Sequence, residues 1–471
     1  MNDEDICFMP AFEMKEKIKT QELTSQEITE VIIERIERIN PVINAYCTPT
    51  FELAREMAKK ADEASEKGEG GIINGIPTSI KDLALVKGIR TTFGSKIYEN
   101  FVPDEDSLYV KRLKDAGCVI LGKTNTPEFG FKGVTDNLIF GETHNPWNIK
   151  KTCGGSSGGA GAAVASGISP LAQGSDGGGS IRIPSCLNGI YGLKPNFGRV
   201  PMFPREYIFG HTLAVTGPLT RYVKDAALML DVMKGPFEGY RYSLPNDNIS
   251  YFAQIDKKPN KLKIAYSLNL GYAKVIDAEV EKAILDSVEK FNNYGWNPEP
   301  INMRLRKPEL PFYTIWTSEI AFSLKSKLNK WRDELDPALL KMIEGGLGYD
   351  AMAIINSMDA RKKVYEGFYK IFKDYDILIT PTTAIPAFNL GNSFPSEING
   401  IRVSPTAWQA FTFPINLIGN PAASIPCGWS KEGLPIGMQI IGKRFDEMLV
   451  LQVSKAFEEI APWQDKRPNF D

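Results

Sequence analysis

The sequence predicts an α/β protein. From Ile76 onward, short apolar runs with strand character alternate with helical runs, and the tail adds a hairpin pattern followed by a helix. An apolar content of 43% against 24% charged residues fits a packed globular core and excludes disordered and fibrous classes. Taken in order, Thr24 to Glu27 forms a capping box before "ITEVIIERIERIN", whose period predicts an amphipathic helix ending at Pro41. "FELAREMAKKADEASEKG" is a second helix that stops at glycines. Then "IPTSIKDL" reads as a strand, "SLYVKRLKDAG" as a helix and "CVILGKTN" as a strand. "GAGAAVASG" follows as a small-residue helix and "SPLAQGSD" as another strand. Past Lys258 come the strand "KLKIAYS", a helix over Glu279 to Phe291, a charged helical region from about Leu310 to Tyr375 and the strand "DILITP". "PAASIPCGW" and "LPIGMQIIG" pair across "SKEG", and "DEMLVLQVSKAFEEI" closes the chain as a helix.

With 471 residues and neither repeats nor low-complexity linkers, the chain reads as one mixed α/β domain over residues 1–471, with a helical portion near 300–375. A net charge of -2 gives no general electrostatic reason to expect nucleic acid or an acidic membrane as partner. A small neutral substrate is the expected partner, and a homodimer stays open. Six scattered cysteines without a CxxC pair and only two histidines argue against metal and redox roles. The acidic amino terminus and the lack of any apolar stretch of about eighteen residues predict a cytoplasmic protein with reduced thiols.

The chemistry concentrates in "KTCGGSSGGAGAAVASG", which begins at Lys151. A phosphate-binding loop would need Lys-Ser or Lys-Thr after its last glycine, where Ala160 and Gly161 stand. Gly154 to Gly158 also satisfies G-x-S-x-G, the nucleophile elbow of serine esterases, which requires an acid and a histidine later in the chain. His144 lies upstream, so Ser156 with His211 is the one pairing that reading allows. A neutral amine accepts a proton as imidazole does, so a lysine whose pKa is lowered by burial is the other candidate base. Lys81 ends the apolar strand "IPTSI", at the sheet edge where α/β folds place ligands. A second serine, Ser180, follows Gly177, Gly178 and Gly179, whose bare backbone N–H groups can converge on one oxygen as an oxyanion hole.

Together "SIKD", "GGSSGGAGAAVASG" and "GSDGGGSIRIP" running into "GIYGLKP", with "KTNTPEFG" and "HNPWN", resemble the amidase signature family. The match is strongest over residues 75–195 and continues in "YDILITPTT" and "PINLIGNPAASIPCG". The resemblance implies an α/β/α fold around a large mixed sheet and amide hydrolysis without metal or organic cofactor. It assigns Ser180 as the acylated nucleophile, Ser156 as a bridging serine after a cis peptide bond, and Lys81 as the base. It makes Ser157, Asp176 and Arg182 supporting residues and Gly130 a backbone wall of the substrate site, which Ser156 also lines. Trp316 and Trp408 are candidate aromatic walls, with core packing as the plainer alternative. The family also contains the glutaminase component of a tRNA-dependent amidotransferase. There an arginine and an acid grip glutamine; here Arg361 is suitably placed, but Gln409 stands where the acid is expected. A stand-alone amidase is therefore the favoured reading, and a catalytically inactive binding relative is disfavoured because all three triad residues are present.

Overall fold

The computed structural model describes residues 2–204 and 212–470, so His211 lies outside the described residues. Eleven strands form one sheet. In chain order they are β1 (Tyr46–Pro49), β2 (Pro77–Lys81), β3 (Val119–Thr124), β4 (Leu171–Asp176), β5 (Tyr191–Lys194) and β6 (Val215–Thr220). They continue with β7 (Ile264–Tyr266), β8 (Glu299–Pro300), β9 (Ile377–Pro381), β10 (Ala422–Trp429) and β11 (Pro435–Gly442). The spatial order is β1-β3-β2-β4-β6-β5-β10-β11-β9-β7-β8. β2 runs parallel to both β3 and β4, β7 runs parallel to β8 and β9, and the remaining pairs are antiparallel, which makes the sheet mixed.

The two-residue period of the strands explains the layering. In β3, Ile120 joins a core with the helices Val223–Met233, Ala278–Lys290 and Glu447–Ile460, while Val119 and Leu121 face the helices Ser25–Ile43 and Phe51–Glu66. In β9, Ile377 and Ile379 share the first of these cores, whereas Leu378 packs with the helices Glu309–Leu324, Pro337–Leu347 and Ala351–Asp374. Alternate residues thus bury opposite faces, and helices cover both. The result is the α/β/α arrangement with a large mixed sheet that the sequence implies. No helix among the described residues is long and apolar enough to cross a membrane.

The first long helix has the expected start and an unexpected end. Thr24 Oγ1 accepts the Glu27 N–H at 3.0 Å, and Glu27 Oε2 accepts the Thr24 N–H at 2.7 Å, which completes the capping box. The helix does not stop at Pro41 but runs to Ile43, and Asn44 closes it in the left-handed region with φ 52°. Proline leaves the Glu37 carbonyl without its helical donor, but that residue is exposed to water, while burial of Ile39 and Ile43 holds the last turn in place.

β2 and β4 are parallel neighbours, so Lys81 and Asp176 end at the same edge of the sheet. The helix Gly158–Ala165 is buried against these strands and made almost entirely of glycine and alanine, because its surroundings approach its backbone. A Cβ on Gly159 would lie 2.5 Å from Ala45 O and 2.5 Å from Asn125 N. Helix propensity favours alanine over glycine by about 1 kcal/mol, but overpacking against fixed backbone costs about 1–3 kcal/mol. Gly159→Ala is therefore expected to lower stability by up to about 2 kcal/mol, read as a lower urea midpoint. A raised midpoint would show that the contact relaxes freely.

Candidate active site

Lys81 is fully buried at the end of β2, and its own N–H is held by Gln173 Oε1 at 3.1 Å. Its Nζ lies 2.7 Å from Ser156 Oγ, 2.9 Å from Ser157 Oγ and 3.1 Å from Ser175 Oγ. No carboxylate forms an ion pair with it among the described residues. Burial pushes the Lys81 amine well below the usual lysine range, and the Asp176 charge opposes that shift without cancelling it. The Gly155–Ser156 peptide is cis. Ser157 also couples the lysine to the next strand, because its Oγ lies 3.2 Å from Ser175 O and accepts the Ser175 N–H at 3.3 Å.

The loop carrying Ser180 is built around an ion pair. Arg182 and Asp176 are both fully enclosed; Nε meets Oδ2 and the terminal nitrogen meets Oδ1, each at 2.9 Å. Asn416 donates to the same carboxylate at 2.9 Å, while the other terminal nitrogen of Arg182 donates to Thr412 O and Gln439 Oε1. Burial alone would raise the Asp176 carboxyl, but Arg182, with Lys194 beyond it, holds it well below the usual carboxylate range. Lys194, also fully buried, is pushed down to about 7 by burial and by the like charge of Arg182.

The glycines before Ser180 are where other residues crowd the backbone. A Cβ on Gly177 would lie 2.7 Å from the Trp316 ring, and one on Gly178 would lie 2.7 Å from Phe312. Gly179 has φ 134° and would strike Thr412 Oγ1 at 2.5 Å. The three amides do not act alike. Gly179 donates its N–H to Asp176 Oδ1 at 2.8 Å, so it braces the loop rather than serving the expected oxyanion position in this conformation. The N–H groups of Gly177, Gly178 and Ser180 have no acceptor among the described residues. A hydrogen bond of 3.2 Å from Ser157 N to Ser180 O brings the two serine loops together.

Ser156, Ser175, Ser180, Gly130, Gly177 and Trp316 line one narrow cavity. Gly130 has φ 70°, and a Cβ there would stand 3.1 Å from Ser156 Oγ, which places this backbone directly against Ser156. Trp316 thus forms a wall of this cavity. Trp408 does not: it is buried in a separate core against Phe388, with ring centroids 5.1 Å apart. Arg361 donates to Leu417 O and to both oxygens of Thr212, so its guanidinium is engaged with protein rather than open to a carboxylate ligand. Gln409 donates its amide to the Tyr313 hydroxyl at 2.9 Å. His144 lies on a surface hairpin with Nδ1 2.7 Å from Ile149 O, and no serine of the cluster is its partner.

Two residues of the site do not stand out in the sequence. Ser175 faces Lys81 from β4; its place two residues before the glycine run, on a strand parallel to β2, is the available signal. Glu128, in the loop that carries Gly130, accepts from Ser95 Oγ at 2.6 Å and from the Asp336 N–H at 2.7 Å. It ties one cavity wall to the start of the helix Pro337–Leu347, which packs on the Trp316 helix. Burial raises the Glu128 carboxyl to about 7. Its neighbours in space, 33 and 208 residues away, cannot be read from spacing.

A family model described as Amidase matches residues 27–451. The chain belongs to the amidase signature family. Among its relatives is an acylamidase of Rhodococcus erythropolis, 36% identical and aligned over 99% of this chain and 98% of the relative. A glutamyl-tRNA(Gln) amidotransferase component from Carboxydothermus hydrogenoformans is 35% identical, over 98% of this chain and 99% of that protein. The crystal structure of a bacterial aryl acylamidase of the family superposes with a TM-score of 0.91 at 31% identity, covering 97% of each chain. The protein is an enzyme, an amidase-signature hydrolase of amide C–N bonds.

Arg182→Met leaves Asp176 buried without its cation, which is expected to destabilise the fold by about 3–5 kcal/mol at neutral pH. Asp176 has a depressed folded pKa, so its contribution is present above the unfolded value of about 3.9 and is lost as pH falls toward the folded one. The difference between wild type and variant should therefore narrow below about pH 4 in urea melts. An unchanged difference across that range would place the cost elsewhere.

Proposed function

We propose that the chain is a stand-alone amidase that cleaves a carboxamide through an acyl-serine on Ser180, with Ser156 and Lys81 as the proton relay. The single observation that carries this reading is the enclosed Lys81 Nζ, 2.7 Å from Ser156 Oγ and, among the described residues, without a carboxylate partner. As a neutral amine it takes the Ser156 proton while Ser156 takes the one from Ser180, whose oxygen attacks the carbonyl carbon. The relay then runs in reverse and protonates the leaving nitrogen, so ammonia or an amine departs. Water, deprotonated by the same relay, hydrolyses the ester and releases the carboxylate.

In this reading the amides of Gly177, Gly178 and Ser180 receive the developing oxyanion, and Gly179 holds Asp176 so that the loop keeps its shape. Residues 1–471 act as one amidase domain, in which 75–195 carry the chemistry and the helices near 300–375 shape the pocket through Trp316. No metal or organic cofactor takes part.

The 35% identity to an amidotransferase component favours a second reading, glutamine hydrolysis within a larger assembly. Arg361 and Gln409 weigh against it. A glutamine zwitterion needs a free cation and an acid, whereas Arg361 is occupied by Leu417 and Thr212 and residue 409 is a neutral amide. A third reading, an esterase elbow with Ser156 as nucleophile, requires His211 as its base.

These readings separate on one assay set. With a panel of simple, aryl and peptide amides and glutamine, turnover of non-glutamine amides by the isolated chain is expected; turnover of glutamine alone would favour the amidotransferase role. Mass spectrometry of a fluorophosphonate-treated sample should find the adduct on Ser180, and an adduct on Ser156 with loss of activity in His211→Gln would support the elbow. Ser180→Ala, Ser156→Ala and Lys81→Ala should each lower turnover by orders of magnitude because the three act as one unit.

Activity should also rise with pH as Lys81 loses its proton, with a midpoint below that of an ordinary lysine because burial depresses the amine. Lys81→Arg, which stays protonated, should not restore turnover. An active Lys81→Arg enzyme with an unchanged pH profile would remove lysine from the base role.

A further inference from the structure

The cavity wall that stands against Ser156 is held in place from outside the cavity. Phe129 and Gly130 both line it, and both have positive φ, 50° and 70°. For phenylalanine that region is unfavourable by about 1–3 kcal/mol, and a residue stays there only where its surroundings fix it. The Phe129 N–H is taken by Phe93 O at 2.7 Å. The flanking residues Glu128 and Lys132 both reach Asp336, 208 and 204 residues away. Glu128 Oε2 accepts the Asp336 N–H at 2.7 Å, and Lys132 Nζ donates to Asp336 Oδ2 at 2.8 Å. On their far sides, Glu128 Oε1 accepts from Ser95 Oγ at 2.6 Å and Lys132 donates to Asp136 at 2.7 Å. Glu128, Lys132 and Asp336 are nearly enclosed, so water does not readily replace these contacts.

Asp336 is also the cap of the helix Pro337–Leu347, with Oδ1 accepting the Ala338 N–H at 2.7 Å. One carboxylate oxygen serves the helix; the other oxygen and the backbone N–H go to the loop of Gly130. That helix lies directly on the one that carries Trp316: a Cβ on Gly346 would be 2.3 Å from Thr317 O, and Leu335, Leu339 and Ile343 share a core with Trp316. The Trp316 ring in turn stands 2.7 Å from where a Cβ on Gly177 would be. Asp336 therefore joins two walls of one cavity, one against Ser156 and one against Gly177.

We propose that Asp336 is a positioning residue that sets acyl-group selectivity: through Lys132 and Glu128 it fixes the Phe129–Gly130 wall relative to Trp316, and it touches no substrate itself. A small acyl group reaches the serines without depending on that spacing, whereas a longer one packs against both walls and loses contact when they part. The proposal rests on this cavity being the substrate site, but not on which of its serines is acylated. The test follows inactivation of the full-length chain by an ethyl and a hexyl fluorophosphonate in wild type, Asp336→Asn, Lys132→Met and the double variant, with the modified serine located by mass spectrometry. Asparagine still caps the helix and still presents its N–H to Glu128, so Asp336→Asn removes only the charge that holds Lys132. Lys132→Met breaks the same link from the other side and serves if Asp336→Asn does not fold. Each single variant should raise the inhibition constant of the hexyl reagent about fivefold or more and that of the ethyl reagent less than about twofold, with the effect absent from the maximal inactivation rate. The double variant should not exceed the larger single effect, because both changes break one link. A hexyl-to-ethyl ratio unchanged in both single variants, a fall in maximal rate shared equally by the two reagents, or additive effects in the double variant would overturn the proposal and leave the amidase reading in place. A wild-type adduct on a serine outside the cavity would overturn the substrate-site reading, and the proposal with it.

Discussion

Lys81 is enclosed at the end of a strand, and its amine meets three serine hydroxyls and, among the described residues, no counter-ion. Removing an ammonium from water costs several kcal/mol even after the protein relaxes, and neutral hydroxyls return only part of that. The amine lowers the cost by giving up its proton. Burial without a counter-ion thus favours the neutral amine, and the other features of the site protect that condition.

The nearest threat to it is Asp176, whose charge raises the Lys81 amine. Arg182 answers this by binding both carboxylate oxygens, with Asn416 and the Gly179 amide adding donors. Arginine keeps its charge in any environment, so it takes the carboxylate, and the two buried lysines nearby, Lys81 and Lys194, shift downward instead. The same ion pair fixes the loop that presents Ser180, since the Asp176 carboxylate also accepts the Gly179 and Ile181 N–H groups. Electrostatics and loop shape thus have one origin, a pair joining the end of β4 to the helix Arg182–Asn188.

What the sequence reveals follows how local each signal is. Lys81 is legible because it ends an apolar strand, and Ser156 and Ser180 because they stand beside glycines that mark close backbone approach. The alternating strands and helices are legible from their periods. The end of the first long helix is not, because Pro41 acts locally to stop a helix while burial of Ile43 acts from the rest of the fold. Trp408 looks like Trp316 in sequence, and only the packing of Phe388 against it separates a core tryptophan from a pocket wall. The role of the Gly179 amide is hidden for a related reason: a glycine run announces bare backbone but not the direction in which each N–H points. Arg361 has the right spacing for a ligand contact, yet its partners Thr212 and Leu417 lie 149 and 56 residues away. Ser175 and Glu128 need the parallel pairing of β2 with β4 and the approach of the helix Pro337–Leu347 before their roles in the site can be seen.

The most direct measurement is the ionisation of Lys81 itself, followed by heteronuclear NMR of lysine labelled at the ε position, with the resonance assigned from Lys81→Met. A midpoint well below the ordinary lysine value of 10.5 is expected, with the amine favouring its neutral form because burial disfavours its charge. A resonance that titrates at or above that value, charged throughout the range in which the enzyme works, would contradict the neutral-lysine relay.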